Sequence, residues 1–564
     1  MSSSGSVVTQ WHLSVANHII RIDFGPVVAT VCSRLLSHGV STFADLAKGT
    51  SLLPSQVRNA LLVLLQHNLA KCVSRPAGKL SVNRDPTVLY EGKLDAVFHR
   101  RWHPRMLLWV REHYGSDEEM VVQEVLTYGR LPMQRLIEQT TQTFCELRRL
   151  AAGSAEREEQ YNRFFHAATK LRVERVICES EMLPEDLAEV DSQAVDDAAV
   201  AAAVAAATRD PSPLPALPGK GGRKRKGSPL AQSSKRGGPR GYIHDEPIAP
   251  APLMPAQGST DAEPLLCLNM PKMLWEFKAT CIKNLVGDKL DSNAEGIVDR
   301  ALKLQKQMGF HSDDLGVAGM YREPFTVDAV LQCCPQRFSE DGPNITWQLC
   351  LNYLDALCSD PLCKMASTLN GKYLLELHEM CNAIKQVMVE GAVRTLVGEQ
   401  GCRLFRLLCR GHSLGGCTTK GQQKYELKQL AELALLPERD ARPLLWKLLN
   451  HEYVLMQEVP RSVDRNPKTT TYLWHCSLDK AYQTLERQMF KTLCSLGQRL
   501  AKERIVSGED RGEPGCRRTG VAAISEAEAT EEQRQMLLCA RARVEALDGA
   551  MMKLFDSALT FRNL

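Results

Sequence analysis

The chain has 564 residues, too many for one hydrophobic core, and its 44% hydrophobic and 24% charged residues suit a soluble protein of several modules. A net charge of only +4 excludes a global basic field, so any contact with nucleic acid has to come from local clusters. The 19 cysteines form no C-x-x-C pair, MSSSGSVVTQ at the start lacks an apolar signal core, and no apolar run approaches membrane-spanning length; together these predict reduced packing thiols in cytosol or nucleus.

A first amphipathic helix is predicted over 18–38, stopped by Gly39, with a short helix after it over 43–48. Residues 52–73, LLPSQVRNALLVLLQHNLAKCV, read as a turn, a helix and the start of a strand. Pro54 and Ser55 start that helix, Val57, Leu61, Leu64 and Leu65 give it an apolar stripe, and Asn68 ends it. Two β-like runs, 69–73 and 79–82, follow around a polar loop. Three helices and a two-stranded wing make a winged helix-turn-helix, whose third helix can enter a major groove while the wing lies along the backbone. This first module is assigned to 1–85, with Arg75, Pro76, Gly78 and Lys79 at a basic wing tip.

Next comes FHRRWHPRMLLWVREHY, where Arg100, Arg101, His103 and Arg105 crowd around Trp102 and Trp109. Helices over 117–128, 132–149 and 156–170 and a strand over 171–178 predict a second winged helix within 86–190, its wing not recognisable. From 191 to 264 the composition turns to alanine, proline, glycine and serine, which predicts a disordered linker. Within it Arg223, Lys224, Arg225 and Lys226 read as a nuclear import signal or as a plain solvated charge run.

A third winged helix is predicted over 265–385, with its third-position helix over 345–360 and a hairpin turning at Asn370 and Gly371. In the fourth, 386–476, the text of 52–73 returns as LLPERDARPLLWKLLNHEYVLMQEV. With one extra residue near Pro437, Arg58 pairs with Arg442, Leu61 with Leu445, Leu64 with Leu448, Leu65 with Leu449 and His67 with His451. This copy, bulky and apolar with Trp446, suits a protein contact. Beyond Trp474 two apolar stripes, one with Leu485 and Met489 and one with Leu537, Val544, Leu547 and Met551, predict a helical hairpin over 477–564. These six residues are the candidates for docking on the body or on a partner. The expected fold is thus mainly α, four tandem winged helix-turn-helix domains and a C-terminal antiparallel coiled-coil hairpin.

For chemistry the sharpest string is GHSLG at 411–415, which matches a nucleophile elbow. That elbow needs a strand before the serine and a helix after it, whereas CRLFRLLCR before Ser413 has helical spacing and GCTTKGQQK after it is a polar loop. No catalytic residue, metal ligand or cofactor site is therefore assigned. The nucleic-acid candidates are Arg58, Lys71, Arg75, Lys79, Arg84, Arg100, Arg101 and Arg105, each able to neutralise a phosphate, with Trp102 and Trp109 as base platforms or as core.

The strings VRNALLVLLQHNL, RWHPR before DEEMVVQEVLTYGRL, and LLPERDARPLLWKLLNHEYVLMQEVP followed by TYLWHC, in this order, resemble the third C-class subunit family of RNA polymerase III. That is the winged-helix member of the enzyme's peripheral initiation heterotrimer. The resemblance implies a non-catalytic nuclear role, binding DNA and helping promoter recruitment and opening on transfer RNA and ribosomal 5S genes. It also implies three partners: the second winged-helix subunit of the trimer, its small acidic subunit, and the clamp of the largest subunit, which the hairpin would meet. The long insert at 191–264 and the glycine-rich loop around Ser413 depart from the family. Two other readings stay open, a winged-helix scaffold that makes only protein contacts and a serine hydrolase using Ser413.

Overall fold

The computed structural model describes residues 8–74, 88–148, 154–180, 264–309, 324–335, 337–338, 344–359, 364–413, 424–460, 470–507 and 531–564. Described residues of 20–93 form one compact unit, and those of 8–19, 94–179 and 266–564 form a larger one.

The helix expected over 18–38 is two helices, α1 (Gln10–Phe24) and α2 (Pro26–His38). Pro26 has no N–H to continue the ladder of α1, and Gly25 before it takes φ +86°, so the chain turns and restarts with proline at a first-turn position. In the smaller unit α2 is followed by α3 (Phe43–Thr50), which opens on a capping box between Thr42 and Asp45. Then come α4 (Pro54–Gln66), β1 (Ala70–Ser74) and β2 (Val88–Gly92). The strands pair antiparallel from Ala70↔Gly92 to Ser74↔Val88, and Ser41 bridges Tyr90 on the outer side. Val57, Leu61, Leu64 and Leu65 of α4 are buried against α2 and α3, so truncating Leu64 to Ala would cost about 2–5 kcal/mol.

In the larger unit the chain continues as α5 (Leu94–His99), one 3₁₀ turn at Arg100–Trp102, α6 (His103–His113) and α7 (Ser116–Tyr128). Asp117, Glu118 and Glu119 in the first turn of α7 complement its dipole. Then follow β3 (Leu131–Pro132), α8 (Met133–Arg148), α9 (Ser154–Val173) and β4 (Ile177–Glu179). The partner of β4 is β5 (Leu265–Leu268), antiparallel with Ile177↔Leu268, Cys178↔Cys267 and Glu179↔Leu266. The order β3-β5-β4 is a helix-turn-helix sheet closed by a strand from the far side of the presumed linker. Leu265 therefore does not open the next module, and the wing missing from the second module begins on one side of residues 181–263 and ends on the other.

α10 (Met270–Lys289) and α11 (Ser292–Gly309) lead to α12 (Val327–Cys333) and α13 (Trp347–Ser359). β6 (Ala366–Leu369) and β7 (Lys372–Leu375) form the expected hairpin. Asn370 at φ +52° and Gly371 at φ +76° give its two-residue turn the left-handed pair that matches strand twist. Phe325 bridges Tyr373, as Ser41 bridges Tyr90.

α14 (Leu377–Val397) and α15 (Glu399–Ser413) precede β8 (Tyr425–Glu426), α16 (Leu427–Ala434), α17 (Glu438–Asn450), β9 (Leu455–Pro460) and β10 (Thr470–His475). Their sheet order is β8-β10-β9. The repeated text is a repeated backbone. Capping boxes open both α3 and α16, Ser51 and Leu435 close them at φ +56° and +55°, and Asn68 and Glu452 follow α4 and α17 at φ +58° and +63°. All these pairs share one offset, so no extra residue lies near Pro437. The two LLP strings are simply out of step, Pro54 standing at the first helical position and Pro437 at the cap.

Leu69 N–H bonds the Leu64 carbonyl at 2.8 Å, and Tyr453 N–H bonds that of Leu448 at 3.0 Å, the long bond of a Schellman closure. Val176 N–H does the same to Leu171 at 2.8 Å, with Arg175 at φ +54°. α9 thus ends like α4 and α17 with no shared text.

Finally α18 (Leu478–Ser507) and α19 (Glu531–Asn563) pack side by side in opposite directions, Arg504 meeting Asp548 while Tyr482 meets Phe561.

Candidate functional site

In the smaller unit Arg58 stands exposed on α4, a helix with no carboxylate side chain. Lys71 on β1 pairs with Glu91 on β2 at 2.9 Å, both side chains well solvated. Arg75, Lys79 and Arg84 lie outside the described residues. The other third-position helices carry charge differently. On α9, Arg163 grips Asp117 with two bonds of 2.5 Å, Lys170 reaches Glu118 at 2.6 Å, and Arg172 reaches Glu179 at 2.5 Å. α13 contains neither lysine nor arginine, and its Trp347 is 44% exposed. α17 opens on Glu438 and Asp440 and leaves Trp446 47% exposed, edge-on to the buried Trp474.

The Arg100 to Arg105 cluster lies in the larger unit and faces inward. Trp102 is 3% exposed and donates its indole N–H to Asp556 Oδ1 at 3.1 Å, so as a base platform it is withdrawn. Arg105 donates to the same oxygen at 2.5 Å, and its guanidinium lies over the rings of Trp102 and Phe277, 5.2 and 4.6 Å from their centroids. Its charge is used to hold α19. Arg100 and Arg101 are half-buried with interactions of their own. Trp109 is half-buried and stacks on His113 at 4.4 Å.

The six stripe residues of the hairpin also turn inward. Leu485, Leu537 and Val544 are buried, and Met489, Leu547 and Met551 are half-buried. Knobs at heptad spacing close a hairpin on itself before they offer anything to a partner. Leu485 and Met489 also pack with the core around α14, α15 and α17, while Ile505, Met536, Leu538 and Met552 are exposed.

The end of α19 is the feature that periodicity did not reveal. Phe561 is buried in the core around α14, α15 and α17, and Arg562 bonds both Asp95 of α5, at 2.6 Å, and Glu486 of α18. Glu486 also meets His12 Nε2 of α1 at 3.3 Å. Burial would raise the Glu486 carboxyl, but the His12 hydrogen bond and the Arg562 charge outweigh it and hold the group below its ordinary range. Burial likewise opposes the charge on Arg562, and Asp95 and Glu486 overcome it to raise the guanidinium further. His99, at 3.1 Å from Asn563 Oδ1, is pushed below the usual histidine range by burial, which that hydrogen bond only partly offsets. In the text Arg562 directly follows Phe561, the last residue of the apolar stripe.

Ser413 ends α15, with helix and not strand before it, so the elbow geometry is absent. The import run Arg223 to Lys226 lies outside the described residues. Among the described residues no cluster of three His, Cys, Asp or Glu side chains could hold a metal, and no helix is long and apolar enough to cross a membrane.

Comparison with known proteins fits this architecture. Residues 389–476 match the family model of the POLR3C C-terminal winged-helix domain, and 14–74 match that of the RNA polymerase III subunit RPC82 helix-turn-helix domain. The chain is 23% identical to the mouse DNA-directed RNA polymerase III subunit RPC3 over 568 residues, covering 98% of this chain and 97% of the relative. The human subunit of that name is 23% identical over 98% and 96% of the two chains, and the zebrafish one 24% over 96% of each. With matching models over 14–74 and 389–476 and similarity along nearly its whole length, the chain is similar to the RPC3 subunits of RNA polymerase III.

Proposed function

We propose that the chain is a non-catalytic subunit of DNA-directed RNA polymerase III that works in the nucleus within an initiation heterotrimer. It holds promoter DNA through its first module and supports recruitment and opening at transfer RNA and 5S genes. Its partners are the trimer's second winged-helix subunit, its small acidic subunit and the clamp of the largest subunit, met by the terminal hairpin. The observation that carries the DNA contact is the charge on the third-position helices: α4 offers Arg58 on a helix without a carboxylate, α9 pairs Arg163, Lys170 and Arg172 internally, α13 has no cation, and α17 opens on Glu438 and Asp440. Only the first of these patterns suits phosphate.

The test is binding of the purified chain to promoter duplex and to the opened single strands across a salt series, beside affinity purification of the tagged chain with its co-purifying subunits identified by mass spectrometry. Salt-dependent binding lost in Arg58→Glu, with polymerase III subunits in the purification, supports the reading. For the hairpin, outward substitutions Met536→Glu and Leu538→Glu replace truncation, because cutting α19 removes the buried Phe561 and Arg562 contacts. A second reading, a scaffold making protein contacts only, is favoured by the exposed Trp347 on the cation-free α13. It predicts the same co-purifying subunits with no salt-dependent DNA binding.

A further inference from the structure

Cysteines 178 and 267 look unrelated in the text, yet the ladder of the second module sets them directly opposite each other on β4 and β5, Sγ to Sγ 3.8 Å. The ladder is anchored on one side by Asn269 N–H to the Val176 carbonyl at 2.9 Å and on the other by Ser180 N–H to that of Leu265 at 2.7 Å. By alternation the cysteines are a hydrogen-bonded pair, with Cα atoms about 5.5 Å apart, inside the window a disulfide needs. Side-chain rotation alone can bring the sulfurs to bonding distance.

We propose that Cys178 and Cys267 are a redox modification site, two thiols that close a disulfide across this ladder when a peroxide reaches them. Access distinguishes them from another close pair of the described residues. Cys409 and Cys476 stand 3.6 Å apart but are both buried, whereas Cys178 and Cys267 are half-buried. The hydrogen bond between the two sulfurs, and then burial, hold the Cys178 thiol well above its usual range, so Cys178 keeps its proton until the second step and Cys267 is the attacking sulfur.

The chemistry balances. The Cys267 thiolate attacks one peroxide oxygen, forming an S–O bond and breaking O–O, and the departing hydroxide takes a proton to become water. The Cys178 sulfur then attacks the sulfenic sulfur, the S–S bond forms as S–O breaks, and the second oxygen leaves as water with the Cys178 proton. Two thiols are oxidised by two electrons in total, and one hydrogen peroxide becomes two waters.

The test treats the purified full chain with hydrogen peroxide, alkylates under denaturing conditions and maps the peptides. The expected result is a linked Cys178–Cys267 peptide, two hydrogen atoms lighter than the separate thiols, with alkylation of both residues lost and then restored by a dithiol reductant. Cys409 and Cys476 stay alkylated, and the exposed Cys539 serves as the positive control for oxidation. The variants Cys178→Ala and Cys267→Ala, checked for unchanged circular dichroism, lose the linked peptide. If Cys539 is oxidised while Cys178 and Cys267 both stay reduced, or if either links elsewhere, the proposal is overturned.

Discussion

Replacing Arg562 with methionine keeps the length and apolar stem of the side chain and removes only its charge. The Arg562 and Glu486 side chains are each 11% exposed, so the substitution leaves a buried carboxylate without its arginine, with His12 still in contact. Removing one member of such a buried pair costs about 3–5 kcal/mol. The more solvated bond to Asp95, whose side chain is 59% exposed, adds at most about 1 kcal/mol. The change falls on the end of α19, so the assay is amide hydrogen exchange of peptides covering 553–564 and 94–99. At about 1.4 kcal/mol per tenfold, a loss of 3 kcal/mol speeds exchange there by about 150-fold. Adding Glu486→Gln removes the stranded charge and should recover more than half of the loss. Exchange within about threefold of the parent chain in Arg562→Met would refute the claim that this ion cluster holds the hairpin to the body.

Acid should release the same contact in two steps. The native values of His99 and Glu486 both lie below their ordinary ones, so the unfolded chain binds protons more readily and stability falls as pH falls. The His99 share is complete above pH about 6.5 and fades below it, and the Glu486 share begins to fade below about 4.5; exchange of α19 against pH checks both. Arg58→Glu should leave the fold intact and lower the slope of log affinity for duplex against log salt by about one, as expected for one lost phosphate contact. Arg105→Glu should do the reverse, keeping the slope and raising exchange at Asp556, because its charge is spent inside the chain. Ser413→Ala should change neither DNA binding nor subunit recovery, and an esterase activity lost in that variant would sink the non-catalytic reading.

What could be read from the text was whatever rests on local periodicity or on repetition. The α4 and α17 helices, the Asn370–Gly371 turn and the two arms of the hairpin all announce themselves within about thirty residues, where propensity and spacing act. The join of β4 to β5 did not, because Leu265 to Leu268 is too short to identify as a strand and its partner lies across 181–263. For charges the same limit applies. Arg58 and Arg105 look alike as letters, and only the position of Asp556, hundreds of residues away, separates a solvated cation from one held over two rings. Heptad spacing correctly marked the hairpin's apolar stripe, but it is silent on whether that stripe faces a sister helix or another protein.

The pairing of Glu179 with Leu266 has a mechanical consequence. Facing residues on neighbouring strands stand about 5 Å apart, so the chain between them leaves and returns at one place. A pull on that stretch does not stretch a joint between successive domains. It loads the sheet in which β5 lies between β3 and β4, beginning at the Ser180–Leu265 bond and passing from Glu179 towards Ile177. Length added or removed there is invisible to everything downstream, which makes this point of the fold a branch from the chain's main line.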